Sequence, residues 1–263
     1  MPKISIKQAT ELALEVGRIL LQSGSATNRV EKMMQKVCVG FGYPETESFV
    51  TPTGIFISVK DKDENISTSI RRIESRRIDL GKITRISRLV NCIGEDKCSE
   101  AHIVKDLDKF RAELKRIDAE QIWPGWIRNL CGGATSGFFC LLFGGAWMEF
   151  IVAVLIGIIV SSGLKYLGRL GFNNFLLNAI AAALIVFLAK LMDLYIPYIR
   201  LDNIIIGGIM LLVPGLSITN AIRDTMSGDL VSGTARAVEA LFITVGIVAG
   251  SGSMLKIWAL WGY

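Results

Sequence analysis

Apolar residues in the first 120 positions recur at helical or alternating spacing, whereas in the second half they merge into long uncharged runs. Ser5 and Gln8 stand three apart, the spacing of a capping box, and Ala9, Leu12, Val16 and Ile19 follow on one helical face. Ser23-Gly24-Ser25 breaks that helix. A second is expected behind it, with Val30, Met33, Met34 and Val37 on one side, ending at Gly40-Phe41-Gly42-Tyr43-Pro44. Residues 46–50, 53–59 and 65–70 are short runs rich in Phe, Val, Ile, Thr and Ser. They read as strands, with Lys60-Asp61-Lys62-Asp63 as a hairpin turn. Two helices are expected to close this region. The last has Ile103, Leu107, Phe110, Leu114 and Ile117 in a 4-3-4-3 stripe, read as core or partner packing rather than a cofactor box.

Trp123-Pro124-Gly125-Trp126 marks a boundary. Pro and Gly stop a helix, and tryptophan suits the membrane–water interface. Beyond it, residues 129–148, 150–164, 170–189, 203–222 and 240–255 carry no charge. About 20 apolar residues cross a bilayer core of roughly 30 Å. Five spans are therefore expected, at about 129–147, 149–166, 173–192, 202–220 and 235–260. The fold class is an α-helical integral membrane protein with an N-terminal cytoplasmic α/β domain. The expected domains are 1–125, soluble, and 126–263, transmembrane.

Charge sharpens this division. Of 263 residues, 1–128 hold 22 Lys and Arg against 18 Asp and Glu, while the remainder holds 7 and 6. The signs are interspersed in the first half, which reads as an ordinary solvated surface and not as a nucleic-acid stripe. Lys165 and Arg169 fall in the second loop, and Arg223 and Arg236 in the fourth. Trp147-Met148-Glu149 and the stretch from Asp193 to Asp202 have no basic excess. By the positive-inside rule the N terminus is cytoplasmic in a multi-pass plasma-membrane protein. The five cysteines, Cys38, Cys92, Cys98, Cys131 and Cys140, are odd in number and form no C-x-x-C, so all five are read as reduced thiols. The first thirty residues are amphipathic and charged, unlike a secretory leader.

Candidate chemistry concentrates between Asp202 and Glu239. Leu211-Leu212-Val213-Pro214-Gly215 lies inside an apolar run, so the fourth span is expected to kink or break at Pro214 and Gly215. Thr219, Asn220, Arg223 and Asp224 follow the break, then Ser227-Gly228-Asp229, Ser232-Gly233-Thr234, Arg236 and Glu239. Broken helices with polar groups at a half-helix end are a transporter device for holding ionic solutes. Arg223 would pair with a substrate carboxylate, Asp224 or Glu239 would engage an amino group or carry a coupling proton, and Thr219 and Asn220 would add neutral hydrogen bonds. The competing reading makes Arg223, Asp224, Asp229 and Arg236 a wet anchoring loop and pairs Glu239 with Arg236. Gly133 with Gly137, and Gly246 with Gly250, stand four apart, a hint of close helix approach. There is no G-x-x-x-x-G-K-[ST] loop and no G-x-S-x-G elbow, and the one histidine, His102, lies on a charged helix, so neither a cofactor nor a metal is expected.

These residues resemble the threonine/serine exporter family in its split, two-component form, over nearly the whole chain. The resemblance is carried by Leu21 to Glu31 (LQSGSATNRVE), Phe49 to Phe56 (FVTPTGIF) and the basic stretch around Arg85 and Arg88. In the second half it is carried by Leu142-Phe143-Gly144-Gly145, Leu211 to Gly215, Thr219 to Asp224 (TNAIRD) and Gly228 to Gly233 (GDLVSG). Asn28 departs from the aromatic residue more usual there. The resemblance implies a cytoplasmic domain followed by about five spans, where single-chain members have about ten, so that this chain looks like the large component of a pair and a small membrane subunit supplies the rest. It implies export of L-threonine and L-serine linked to the proton motive force. Some split pairs are associated instead with succinate. It assigns no binding residues. Two other readings stay open: a membrane-tethered hydrolase using Ser25, Arg29, Glu31, Thr51 and Thr53, and a regulatory or assembly role for the soluble half.

Overall fold

The computed structural model describes residues 4–74, 77–94, 98, 101–104, 106–120, 123–196 and 198–261. They form two compact units: Met1–Ile122 together with Leu216–Ala237, and Trp123–Gly215 together with Val238–Tyr263.

The first unit opens with α1 (Ile6–Gln22). Ser5 and Gln8 satisfy each other's backbone N–H groups, at 3.3 and 3.0 Å, as the capping-box spacing predicts. The helix buries Ala9, Leu12, Ala13, Val16 and Leu20. After α2 (Thr27–Gly40) the chain forms an antiparallel meander of β1 (Glu45–Thr51), β2 (Gly54–Lys60) and β3 (Ile66–Arg72), in the order β1-β2-β3. The register pairs Phe49 with Phe56 and Phe56 with Ile70 on the outer face. The alternate residues Val50, Ile55, Ile57 and Val59 are buried against α1 and α2. β1 extends its expected segment by one residue at each end, while β2 and β3 each begin one residue later than expected and end one and two residues later, because register with a neighbour rather than composition decides where pairing stops. Three helices follow: α3 (Leu80–Asn91), the single turn α4 (Ala101–Val104) and α5 (Leu107–Ala119). The stripe on α5 is core, with Phe110, Leu114 and Ile117 buried. One expectation is corrected here. Cys92 and Cys98, six residues apart with Cα atoms 5.5 Å from each other, form a disulfide, while Cys38, Cys131 and Cys140 are free.

The second unit contains α6 (Gly125–Leu142), α7 (Trp147–Arg169), α8 (Asn174–Tyr195) and α9 (Leu201–Met210). The chain then continues through α10 (Gly215–Met226) and the 31-residue α11 (Leu230–Leu260). Among the described residues α7, α8 and α11 are long and apolar enough to cross a membrane. The pair α9 and α10, bent by 54° at its break, makes a fourth if counted as one span. This differs from the five expected spans at the first of them. Residues 129–147 are uncharged, but α6 stops at Leu142 and the chain turns through residues 143–145, with Gly144 at a φ of +90°. A run without charge does not distinguish a helix from a greasy turn.

Small residues set the helix spacing, as Gly133/Gly137 and Gly246/Gly250 suggest. A Cβ on Gly133 would lie 2.7 Å from the Val154 carbonyl of α7, and one on Gly246 would lie 2.9 Å from the Phe175 carbonyl of α8. Glu149, which the charge pattern places in an outer loop between the first two expected spans, is buried in the first turn of α7. It accepts hydrogen bonds from the backbone N–H of Ala146 and, at 2.8 Å, from that of Arg200. The carboxylate thus neutralises the N-terminal ends of two helices.

Candidate functional site

The site is built inside the first unit, where Leu216–Ala237 lies among the N-terminal residues. Two turns prepare it. Gly24, at a φ of +90°, closes α1 and directs the Gly24 and Ser25 carbonyls outward from the α1–α2 turn. Gly228, at +87°, ends α10 in the left-handed conformation that glycine adopts without steric cost. Directly after it Asp229 caps α11, its Oδ1 accepting the Ser232 N–H at 3.1 Å.

Those turns bring the two sequence-distant segments together. Asn220 donates from Nδ2 to the Gly24 carbonyl at 3.1 Å, and Arg236 from Nη2 to the Ser25 carbonyl at 2.9 Å. The Thr27 hydroxyl donates to Asp229 Oδ2 at 2.9 Å, and the Ser232 hydroxyl to the Val50 carbonyl at 3.3 Å. At the centre Arg236 Nε lies 3.0 Å from Asp224 Oδ2, with side-chain exposures of 4% and 0%. The N-cap of α2 is Ala26, which offers no side-chain acceptor. The acidic side chains of the other segment supply negative charge at that helix end.

Glu31, one turn further along α2, accepts the Val50 N–H at 3.0 Å. Burial pushes its carboxyl above the ordinary range; the Val50 hydrogen bond opposes this, and the charges of Asp229 and Asp224 add to it. For Asp229 burial also pulls upward, but the Ser232 side-chain and backbone bonds and the Thr27 hydroxyl outweigh it and leave the group below its ordinary value. The two carboxylates therefore respond to acid in opposite senses. Glu31 binds a proton more readily folded than unfolded, so its contribution favours the folded state at low pH and is lost as pH rises through its raised pKa. Asp229 contributes above its unfolded pKa and loses that contribution as pH falls. Glu31→Gln should remove this one contribution, so that the variant gains thermal stability relative to the native protein as pH rises above about 4.5. An unchanged pH profile of melting in the variant would contradict this.

Of the expected site residues, Asn220, Asp224 and Asp229 are in the cluster. Thr219 and Arg223 are exposed on α10, Glu239 is half-buried in the part of α11 that belongs to the second unit, and Pro214 and Gly215 stand where α9 gives way to α10. The chain around Gly228 and Asp229 also has the plain structural role of ending one helix and starting the next. Sequence reasoning gave Gly24 and Thr27 no place in a site, reading Gly24 as a helix breaker, and connected Ser25 and Glu31 with a site only in the hydrolase reading. The signal was present in the SGSATNRVE stretch, whose polar residues have no counterpart on the apolar face of α1. Among the described residues, no group of three or more His, Cys, Asp or Glu is placed to hold a metal ion. The cluster thus gathers one guanidinium, three carboxylates, an amide and two hydroxyls, each held by a partner within the first unit.

A family model described as "Putative threonine/serine exporter" matches residues 11–258. The chain is 25% identical over 259 residues to the threonine/serine exporter of Corynebacterium glutamicum, covering 94% of this chain and 50% of that protein. It is 24% identical over 250 residues to a probable threonine/serine exporter of Mycobacterium tuberculosis, covering 93% of this chain and 45% of that one. With a probable succinate transporter subunit of Escherichia coli it shares 25% identity over 268 residues, 98% of this chain and 97% of the relative. The chain thus spans about half the length of the first two and nearly all of the third. No solved structure matches it.

Proposed function

Because this chain belongs to the threonine/serine exporter family, we propose that it is a subunit of a secondary transporter that exports small polar metabolites, L-threonine and L-serine foremost, driven by the proton motive force together with a small membrane subunit. The observation that carries this reading is the buried pair of Asp224 on α10 and Arg236 in the second turn of the long apolar α11. A buried ion pair is costly to build and is retained where the charges have work to do. Its two members offer complementary partners for the carboxylate and ammonium of an amino acid. Arg223, exposed one residue before Asp224, provides a first contact for the incoming carboxylate, and Thr219 and Asn220 add neutral hydrogen bonds. Asp224, Glu239 and the raised carboxyl of Glu31 are the candidates for carrying the coupling proton.

In this reading α6, at 18 residues, is a short fifth span with Arg128 at its interfacial end, and residues 1–125 are cytoplasmic. A second substrate reading, a dicarboxylate, is favoured by the Escherichia coli relative, which the chain matches end to end.

The test is efflux from proteoliposomes that hold this chain and its co-purified small subunit, loaded with L-threonine, L-serine or succinate under an imposed proton gradient. At least one solute should leave, and the flux should stop when the gradient is collapsed. If none of the three moves with both subunits present, the proposal falls.

A further inference from the structure

A second polar site lies in the first unit, between α2 and α3, and the exporter reading makes no use of it. It is an open cavity of about 340 Å³ lined by Arg29, Thr84, Ser87, Arg88 and Asn91 and by the Cys92–Cys98 disulfide. That volume lies within the range of small-molecule sites. Thr84, Arg88 and Asn91 stand at helical spacing and share one face of α3. Arg29 lies across from them on α2 and donates from Nη2 to the Ser87 hydroxyl at 2.8 Å, which fixes the guanidinium at the rim. Lys36, two turns further along the same face of α2, donates to Asn91 Oδ1 at 3.1 Å and brings a third cation to the edge.

Among the described residues, no acidic side chain lines this cavity, and none of Arg29, Lys36 and Arg88 makes an ion pair with a carboxylate. This contrasts with Arg18, Arg85, Arg111 and Arg116 of the same unit, each of which has an acidic partner within 4 Å. Cations gathered in a concavity raise the local potential for anions. Planar guanidinium forks beside hydroxyl and amide donors match the oxygens of carboxylate and phosphate.

We propose that this cavity binds a small, free oxyanion of two or more negative charges, a phosphate or a dicarboxylate, at a site distinct from the Asp224–Arg236 cluster. Thr27 and Glu31 face that cluster. Arg29, two residues from each, is rotated by about 200° around α2 and faces the cavity. The anion would therefore sit on the far side of the same helical turn, where its occupancy is felt by the first turn of α2. The inference stands on the cavity alone and does not need the exporter reading.

The test is thermal unfolding of the full-length protein in neutral detergent, titrated with sodium phosphate and with succinate at constant ionic strength. The melting temperature should rise saturably with at least one of the two. Arg88→Gln, an exposed position, should weaken the apparent affinity by about tenfold or more, equivalent to about 1.4 kcal/mol. Ser87→Ala, which frees Arg29, should weaken it in the same direction, while Arg116→Gln on α5 should leave it unchanged. The proposal is overturned if sodium chloride of equal ionic strength reproduces the shift. It is equally overturned if Arg88→Gln and Ser87→Ala both respond as the native protein does. Stabilisation by anionic lipid nanodiscs but by neither free anion would assign the site to a headgroup and end the free-oxyanion reading.

Discussion

Arg236→Ala should destabilise the first unit by about 3–5 kcal/mol, the cost of stranding one member of a buried ion pair. Asp224 is fully buried, and Arg236 Nε lies 3.0 Å from it, so removing the guanidinium leaves a carboxylate in a place that water does not reach. The Ser25 carbonyl loses its donor in the same step. Asp224→Ala should cost a similar amount, because it leaves the guanidinium as the uncompensated charge. The combined variant Asp224→Leu with Arg236→Met should recover most of the loss, since an apolar pair of similar volume removes both desolvation penalties. Denaturant unfolding of the native protein and the three variants in detergent measures these costs. A cost below about 1 kcal/mol for both single changes is what surface pairs give, and it would show the pair to be solvated.

Gly250→Leu should be nearly as damaging, through sterics alone. A Cβ on Gly250 would stand 2.7 Å from the carbonyl carbon and 2.8 Å from the Cα of Ala179. The obstacle is backbone, which cannot rotate aside, so α8 and α11 must part to admit a side chain. Overpacking of this kind costs about 3 kcal/mol. Gly252, two residues on, has no atom within 4 Å of the place a Cβ would take, and Gly252→Ala should be neutral or stabilising by up to about 1 kcal/mol from helix propensity. Melting temperatures of the two variants should therefore move in opposite directions or one should not move. Equal losses would mean that α11 does not pack on α8 through its glycine face.

Local signals in the sequence were sufficient for local structure. Ser5 and Gln8 meet as a capping box, Phe110, Leu114 and Ile117 are core, and the helix gives way between Met210 and Gly215, where Pro214 removes a backbone donor. The glycine pairs mark close helix approaches because a missing side chain has only one use at that spacing. The site was half-legible. Its acidic and amide groups on α10 and in the following turn stood out as polar residues beside apolar runs. Their partners did not, because Thr27 and Asp229 are 202 positions apart and no periodicity links them. Nor does a loop carbonyl such as that of Ser25 leave any mark in a sequence. Charge counting also placed the end of the first expected span too late, since residues 143–145 are as uncharged as the 129–142 stretch of helix before them.

We propose that solute movement passes through the ionic groups held jointly by the α1–α2 turn and the 216–237 segment. The most direct measurement is proton-driven efflux from proteoliposomes that contain Asp224→Asn or Thr27→Val, normalised to folded protein, with Asn28→Ala as a control outside the cluster. The account predicts that efflux falls by about tenfold or more in each of the first two, the loss expected when a hydrogen bond to a charged group is removed, and is unchanged in the control. Native rates in both Asp224→Asn and Thr27→Val would contradict it.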